Sequence, residues 1–339
     1  MEQPEAAGCF KQLLATRPTA DKDRFVAVSG RLWNRRRRVL LILFSVFLTA
    51  CAKETSREVL DRTGRKVLVG KDVKRVISMA PSNTEIIVDL GMAHKLVAVD
   101  RHSADIPDIP ENLPLLDFFY PDAEVIVSLK PDLIIANGHN ATGTGEDPFR
   151  VLEEMGIPAA YLSMSRSVGA IYDDILFIAD MLGAREPGEK LVQEMRDEIA
   201  AITEAGTRAA AGKPRTVYFE ISAAPEMMTF GKDSYLNDMV GIIGARNIFE
   251  HENWILSPGA EAVIQRNPEV ILTNVNYLAD PVAEIRSRPG FEHITAVKEK
   301  RIYVIDTNSS VRPSARIVRA LKEMIGVVYP ETHATDPSR

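Results

Sequence analysis

Residues 121–135 read Pro-Asp-Ala-Glu-Val-Ile-Val-Ser-Leu-Lys-Pro-Asp-Leu-Ile-Ile, and residues 258–272 read Pro-Gly-Ala-Glu-Ala-Val-Ile-Gln-Arg-Asn-Pro-Glu-Val-Ile-Leu. The stretches lie 137 residues apart and keep a proline, a glutamate and a second proline in register. In each, the first proline suits the opening turn of a helix, the second ends it, and an apolar run of strand character follows at once. Chance helix-strand similarity is the competing explanation, and the matched spacing weighs against it. One copy in each half predicts two similar α/β units.

Reading outward, further short apolar runs with strand character lie at Arg75–Met79, Val97–Val99, Leu133–Ala136 and Ala159–Leu162, and again at Arg215–Ile221, Val270–Asn274 and Arg301–Ile305. Helical segments separate them, as in a parallel sheet covered on both faces. Ala80 to Glu85 supplies a turn and a helix cap ahead of the apolar stretch Ile86–Leu90. Val59–Val69 reads as a hairpin turning at Thr63, Gly64 and Arg65, and Ala315–Val328 as a closing helix. Between the repeat copies, Leu191, Met195, Ile199 and Ile202 recur at helical spacing within Pro187–Ala211, over a charged opposite face. A helix of that length would run about 40 Å, enough to join two lobes as a stiff connector. The expected fold is therefore α/β, two Rossmann-like lobes with parallel sheets joined by one long rigid helix. The expected division is a lobe over 58–185, the connecting helix over 186–212, a second lobe over 213–331 and a tail over 332–339.

The chain of 339 residues, 45% apolar and 26% charged, suits two ordinary globular lobes. Arg35, Arg36, Arg37 and Arg38 precede an apolar run, Val39–Ala50, too short to span a bilayer, which reads as a signal-peptide core. It ends in Leu48-Thr49-Ala50-Cys51, which resembles the lipobox of bacterial lipoproteins, where the cysteine is acylated and becomes the new N-terminus. A short buried helix ending in cysteine is the alternative, disfavoured by the four arginines. Residues 1–50 are thus expected to be an upstream extension plus signal peptide, and 51–57 a polar tether. The remaining cysteine is Cys9, so a chain beginning at Cys51 has no disulfide. Such a chain carries 32 Lys and Arg against 43 Asp and Glu, a balance of −11. That surface repels phosphate backbones and argues against nucleic acid as a partner. Acyl chains, not charge, would hold it to a membrane.

Several separated stretches resemble one family. Arg75-Val-Ile-Ser-Met-Ala-Pro-Ser-Asn-Thr-Glu85, Leu129-Lys-Pro-Asp-Leu-Ile134, Gly231-Lys232, Gly244-Ala-Arg-Asn-Ile-Phe249 and Arg312-Pro-Ser-Ala-Arg-Ile-Val318 are similar, in order, to the periplasmic-binding proteins of ABC importers for vitamin B12 and ferric siderophores. The resemblance covers about residues 58–331. It implies a ligand cleft between lobes joined by a rigid helix, small opening and closing motions, and a partner permease and ATPase. It also implies one glutamate per lobe offered to permease arginines. The matching positions are Glu124 and Glu261, the glutamates of the internal repeat. The alternative is that each simply favours its helix N-terminus.

Ligand contacts in α/β lobes come from loops beyond the carboxyl ends of strands. Candidate ligand-binding residues on such loops are Ser82, Asn83, Arg101, His102, Phe118 and Tyr120, with Asn137, His139, Lys232, Trp254 and Arg312. Phe118, Phe119, Tyr120, His102 and Trp254 suit flat walls for a planar or macrocyclic ligand, although any one aromatic can equally pack in a core. Arg101, Lys232, Arg312 and Arg316 suit the anionic groups of a ferric chelate. His102 or Tyr120 is a candidate ligand to the metal of heme or a corrinoid. Six scattered histidines give no preformed site for a bare metal, and no cofactor is called for. A phosphate loop ending in Lys and Ser or Thr, a Gly-x-Ser-x-Gly elbow and a His-Glu-x-x-His are all missing, which argues against an enzyme. The expected protein is an exported, lipid-anchored monomer that binds a metal chelate (ferric siderophore, cobalamin or heme). A ligand-sensing receptor on the same fold is the alternative in a different class.

Overall fold

The computed structural model describes residues 56–142 and 147–332. The proposed leader, Cys51 and most of the C-terminal tail lie outside that range. The chain enters through an antiparallel hairpin, β1 (Ser56–Leu60) and β2 (Lys66–Gly70), with Gly64 at φ +86° in the turn, a value that favours glycine. Pairing thus begins at Ser56, inside the stretch expected to be tether. Arg62 in the turn is clamped by Asp174 at 2.8 Å and Asp173 at 3.2 Å, which fastens the hairpin to the first lobe.

That lobe contains β3 (Val76–Ser78), β4 (Leu96–Asp100), β5 (Leu115–Leu116), β6 (Leu133–Asn137) and β7 (Ala159–Leu162), a parallel sheet in the order β5-β4-β3-β6-β7. The second lobe contains β8 (Thr216–Glu220), β9 (Thr229–Phe230), β10 (Arg246–Asn247), β11 (Ile255–Leu256), β12 (Val270–Thr273) and β13 (Ile302–Val304). Its main sheet is parallel in the order β10-β8-β12-β13, and β9 pairs separately with β11. With β5 set aside, the two main sheets share one strand order.

Alternation along the strands sorts side chains into layers. Leu133 and Ile135 on β6, Val217 and Phe219 on β8, and Val270 and Leu272 on β12 belong to one large apolar core that continues from lobe to lobe. Ile134 and Ala136 face a separate core on the far side of the first sheet. Tyr218 and Ile271 face another behind the second. Both faces of each sheet are buried, as a parallel sheet requires.

The connecting helix spans Arg185–Ala210 and buries Gly188, Val192, Met195, Ile199, Ile202, Gly206 and Ala210, a stripe at i+3 and i+4 spacing. Its 26 residues make a rod of about 39 Å. It packs on the helix Val168–Leu182 of the first lobe and on Tyr235–Ile242 and Ile317–Val328 of the second. A Cβ at Gly188 would meet Ala179 Cβ at 2.5 Å, and one at Gly206 would meet the Ile243 carbonyl carbon at 2.4 Å. At both ends, therefore, the rod is seated by a glycine that lets the partner approach closely.

The internal repeat is real in three dimensions. Helix Ala123–Leu129 leads to β6, and helix Ala260–Arg266 leads to β12, each 137 residues on from its counterpart. The prolines play a different part from the one expected. Asp122 and Gly259 are the N-caps, so each first proline stands outside its helix. Lys130 at φ +48° and Asn267 at φ +43° end the helices in the left-handed conformation, and the second prolines follow them.

Candidate functional site

The carboxyl ends of both main sheets face a shared cleft of about 590 Å³, within the range of small-molecule sites. From the first lobe, Ser82 follows β3, His102 follows β4, Phe118 and Phe119 follow β5, Asn137 and His139 stand at the end of β6, and Met164 and Ser165 follow β7. From the second, Ile221 follows β8, Met228 precedes β9, Tyr235 opens a helix, Trp254 precedes β11, and Val311 and Arg312 follow β13. Apolar surface dominates the wall, with Phe118, Phe119, Trp254, Met164 and Met228 among its contributors.

The aromatic side of the first lobe is a stepped stack. His102 meets Phe118 edge-on at 6.0 Å, and Phe118 meets Phe119 at 4.8 Å. Asn140 Nδ2 holds the Phe118 carbonyl at 2.8 Å, which ties this loop to the end of β6. His139 stands at the wall, where desolvation lowers its imidazole pKa and favours the neutral form.

On the opposite side, Trp254 is held by backbone. Gly231 N–H donates to the Trp254 carbonyl at 2.7 Å, and Trp254 N–H donates to the Lys232 carbonyl at 2.9 Å. A Cβ at Gly231 would stand 2.1 Å from the Glu252 carbonyl oxygen, so glycine is required for this approach. Trp254 itself has φ +50°, a conformation that costs a bulky residue about 1 kcal/mol or more. Arg166 from the first lobe lies over the Trp254 ring at 4.8 Å, a cation-π contact across the cleft.

The floor carries an ion cluster that spans the lobes. Arg312 donates to Glu85 Oε1 at 3.1 Å, to Asp105 Oδ1 at 2.8 Å and to the His102 carbonyl at 3.0 Å. Ser314 Oγ donates to Glu85 Oε2 at 2.6 Å, and Asn308 Nδ2 donates to Asp105 Oδ2 at 2.6 Å. Arg316 stands 3.6 Å from Glu85 and 3.5 Å from Asp89. Burial pushes the Glu85 carboxyl up, against the pull of Ser314, Arg312 and Arg316. For Asp105, partial burial is outweighed by Arg312 and Asn308, which hold its carboxyl below the ordinary range.

Of the candidate ligand-binding residues, Ser82, His102, Phe118, Asn137, His139, Trp254 and Arg312 are brought together on the cleft. Asn83 is buried instead, its Nδ2 bonded to the Ile135 and Ala136 carbonyls. Arg101 is exposed beside Asp117 at 3.4 Å. Tyr120 and Lys232 are exposed and lie off the cleft wall. Met164, Ser165 and Tyr235 were not anticipated, although Ala159–Leu162 was legible as a strand and its carboxyl end pointed to the first two. Glu124 and Glu261 are both exposed, each second in its helix, and neither joins an ion pair among the described residues.

Two α/β lobes on a rigid helix, with loops from both sheets closing on one cavity, define a two-lobed binding protein. Residues 76–308 match the family described as Periplasmic binding protein, and the chain belongs to that family. Over 272 residues the chain is 28% identical to a protein of Bacillus subtilis called an uncharacterized ABC transporter substrate-binding lipoprotein, YvrC, covering 80% of this chain and 85% of the relative. It is 25% identical over 252 residues to the vitamin B12-binding protein of Vibrio cholerae, covering 74% and 87%. A crystal structure of a possible iron-binding (periplasmic solute-binding) protein from Staphylococcus epidermidis superposes with a TM-score of 0.68 at 29% identity, covering 76% of this chain and all of that one.

Proposed function

We propose that this protein is the substrate-binding component of an ABC importer and holds a cobalamin-type or ferric-siderophore chelate in the interlobe cleft. The observation that carries this reading is the cavity of about 590 Å³ walled by Phe118, Phe119 and Trp254, a shape and chemistry suited to a broad, largely apolar face. The relatives named above support it. Heme is the second reading, favoured by the two imidazoles of His102 and His139 on the wall. Quenching of Trp254 fluorescence during titration with cyanocobalamin, heme and ferric siderophores tests both. Saturable binding of one of them is expected, and failure of all three overturns the reading.

Glu124 and Glu261 would dock on arginines of the permease, with the ATPase beneath it. Each opens a helix that runs back into a parallel strand. A crossover helix runs opposite to its strands, so both glutamates belong to the sheet ends that form the cleft. Two charge-assisted contacts straddling the cleft would fix orientation. Cys51 would carry the lipid anchor of the exported protein. Labelling with radioactive palmitate should mark the wild type and not Cys51→Ala; equal labelling of the two removes the anchor from this account.

A further inference from the structure

Among the described residues that line the cleft, Arg312 is the single Lys or Arg, and its charge is already engaged, while the neighbouring Arg166 is stacked on the Trp254 ring. Glu85 and Asp105, both from the first lobe, take its guanidinium, and the His102 carbonyl takes a further N–H. Asp89 and Glu85 likewise occupy Arg316. Three carboxylates therefore face two guanidinium groups. Asp100 adds a fully buried carboxyl group behind His102, accepting its backbone N–H at 2.8 Å. Ser82, Asn137, Ser165, Ser234 and Asn308 on the wall carry no charge.

We infer that the cleft selects its chelate by charge: carboxylates of the first lobe neutralise Arg312 before any ligand arrives, so neutral or cationic chelates enter and polyanionic ones are turned away. A propionate or catecholate seeking Arg312 would have to draw it from Glu85, a carboxylate only 1% exposed. Glu85 would keep Ser314 and the more distant Arg316, but a buried carboxylate that loses its nearest cation is destabilised. An anion that left those bonds intact would instead approach a cluster of three carboxylates against two guanidinium groups, with one net negative charge. Corrinoids with amide-bearing rims and ferric hydroxamates satisfy this filter, because neutral hydroxyl and amide groups on the wall can meet theirs. Free heme, with two propionates, and ferric catecholates do not.

Charge selection presupposes the ligand-cleft reading proposed above, and the experiment separates the two. The purified protein is titrated with cyanocobalamin, with heme and with heme dimethyl ester, which has the same ring without the two negative charges. Cyanocobalamin and the ester are expected to bind, with the ester about tenfold or more tighter than free heme. In Asp105→Asn, and independently in Glu85→Gln, the ester-to-heme ratio should fall at least about threefold, because Arg312 regains charge for a propionate. The Asp105 side chain is half-exposed, so that variant tests the filter even if the buried Glu85→Gln misfolds. Equal binding of heme and its ester, or a ratio unchanged in both folded variants, overturns charge selection and leaves the ligand-cleft reading standing. Binding of none of the three, with a ferric hydroxamate failing as well, overturns both.

Discussion

The two lobes share one plan and differ in what is added to it. β4-β3-β6-β7 in the first answers β10-β8-β12-β13 in the second, and the helices before β6 and β12 correspond residue for residue. The additions are lobe-specific. The first lobe extends its sheet with the two-residue β5, from which Phe118 and Phe119 reach the cleft. The second grows a separate ribbon, β9 with β11, which positions Trp254. Shared elements thus build the scaffold and carry the two exposed glutamates, while the divergent ones furnish the walls. A duplicated plan keeps matched groups on both lobes, and the unmatched additions line the cleft.

This comparison can be broken experimentally. The largest effect concerns the matched pair: Glu124→Ala with Glu261→Ala should abolish uptake while soluble ligand binding persists, and the single variants should each lower uptake alike. Strongly unequal single effects would mean that the repeat does not extend to docking. Next is the buried ion pair of the second lobe, where Arg288 reaches Glu220 at 2.8 Å beneath β8 with both nearly sealed from solvent. Arg288→Ala should cost about 3–5 kcal/mol, read by chemical denaturation. Because a continuous core joins the lobes, the loss should appear as one shifted transition; two separated transitions would show lobes that fold independently.

The first lobe offers a contrasting carboxyl group. Burial raises the Asp174 pKa to about 6, against the pull of Arg62 and Ser165. A raised folded-state value means stability that is fully present below the unfolded pKa of about 4 and lost as pH rises through about 6, worth about 3 kcal/mol in total. Melting temperatures of the wild type relative to Asp174→Asn should therefore decline from pH 4 to pH 7; a flat difference would remove the titration. The smallest effect is at the rod, where Gly206→Ala should cost about 1–3 kcal/mol through overpacking against Ile243. Gly188→Ala meets the Ala179 Cβ at 2.5 Å, an atom with no rotamer of its own, and should cost a similar amount, so the two ends of the helix are predicted to be alike in tolerance.

Much of this frame was legible in the residues. The repeat announced two units because proline and glutamate spacing survives in both copies, and the rod announced itself by Met195, Ile199 and Ile202 at helical spacing. The loops beyond strand ends located most of the cleft wall. What was hidden is instructive. β5, β9, β10 and β11 are two residues long, too short for any periodicity to show. Arg312 read as a cation for a ligand, yet its partners Glu85 and Asp105 lie 227 and 207 residues away, a pairing that only the folded chain brings about. Tyr120 and Lys232 were plausible by position, yet both are exposed and stand outside the cleft lining.

Gly206 and Gly244 meet with no side chain between them, a Cβ at Gly244 falling 2.3 Å from the Gly206 carbonyl oxygen. Main chain pressed on main chain has no rotamers with which to slip, so the second lobe is effectively soldered to the rod. A gripper whose jaws are preset forfeits little freedom on capture, which lengthens the time a guest stays. In the importer role proposed above, release would then depend on a partner that opens the cleft.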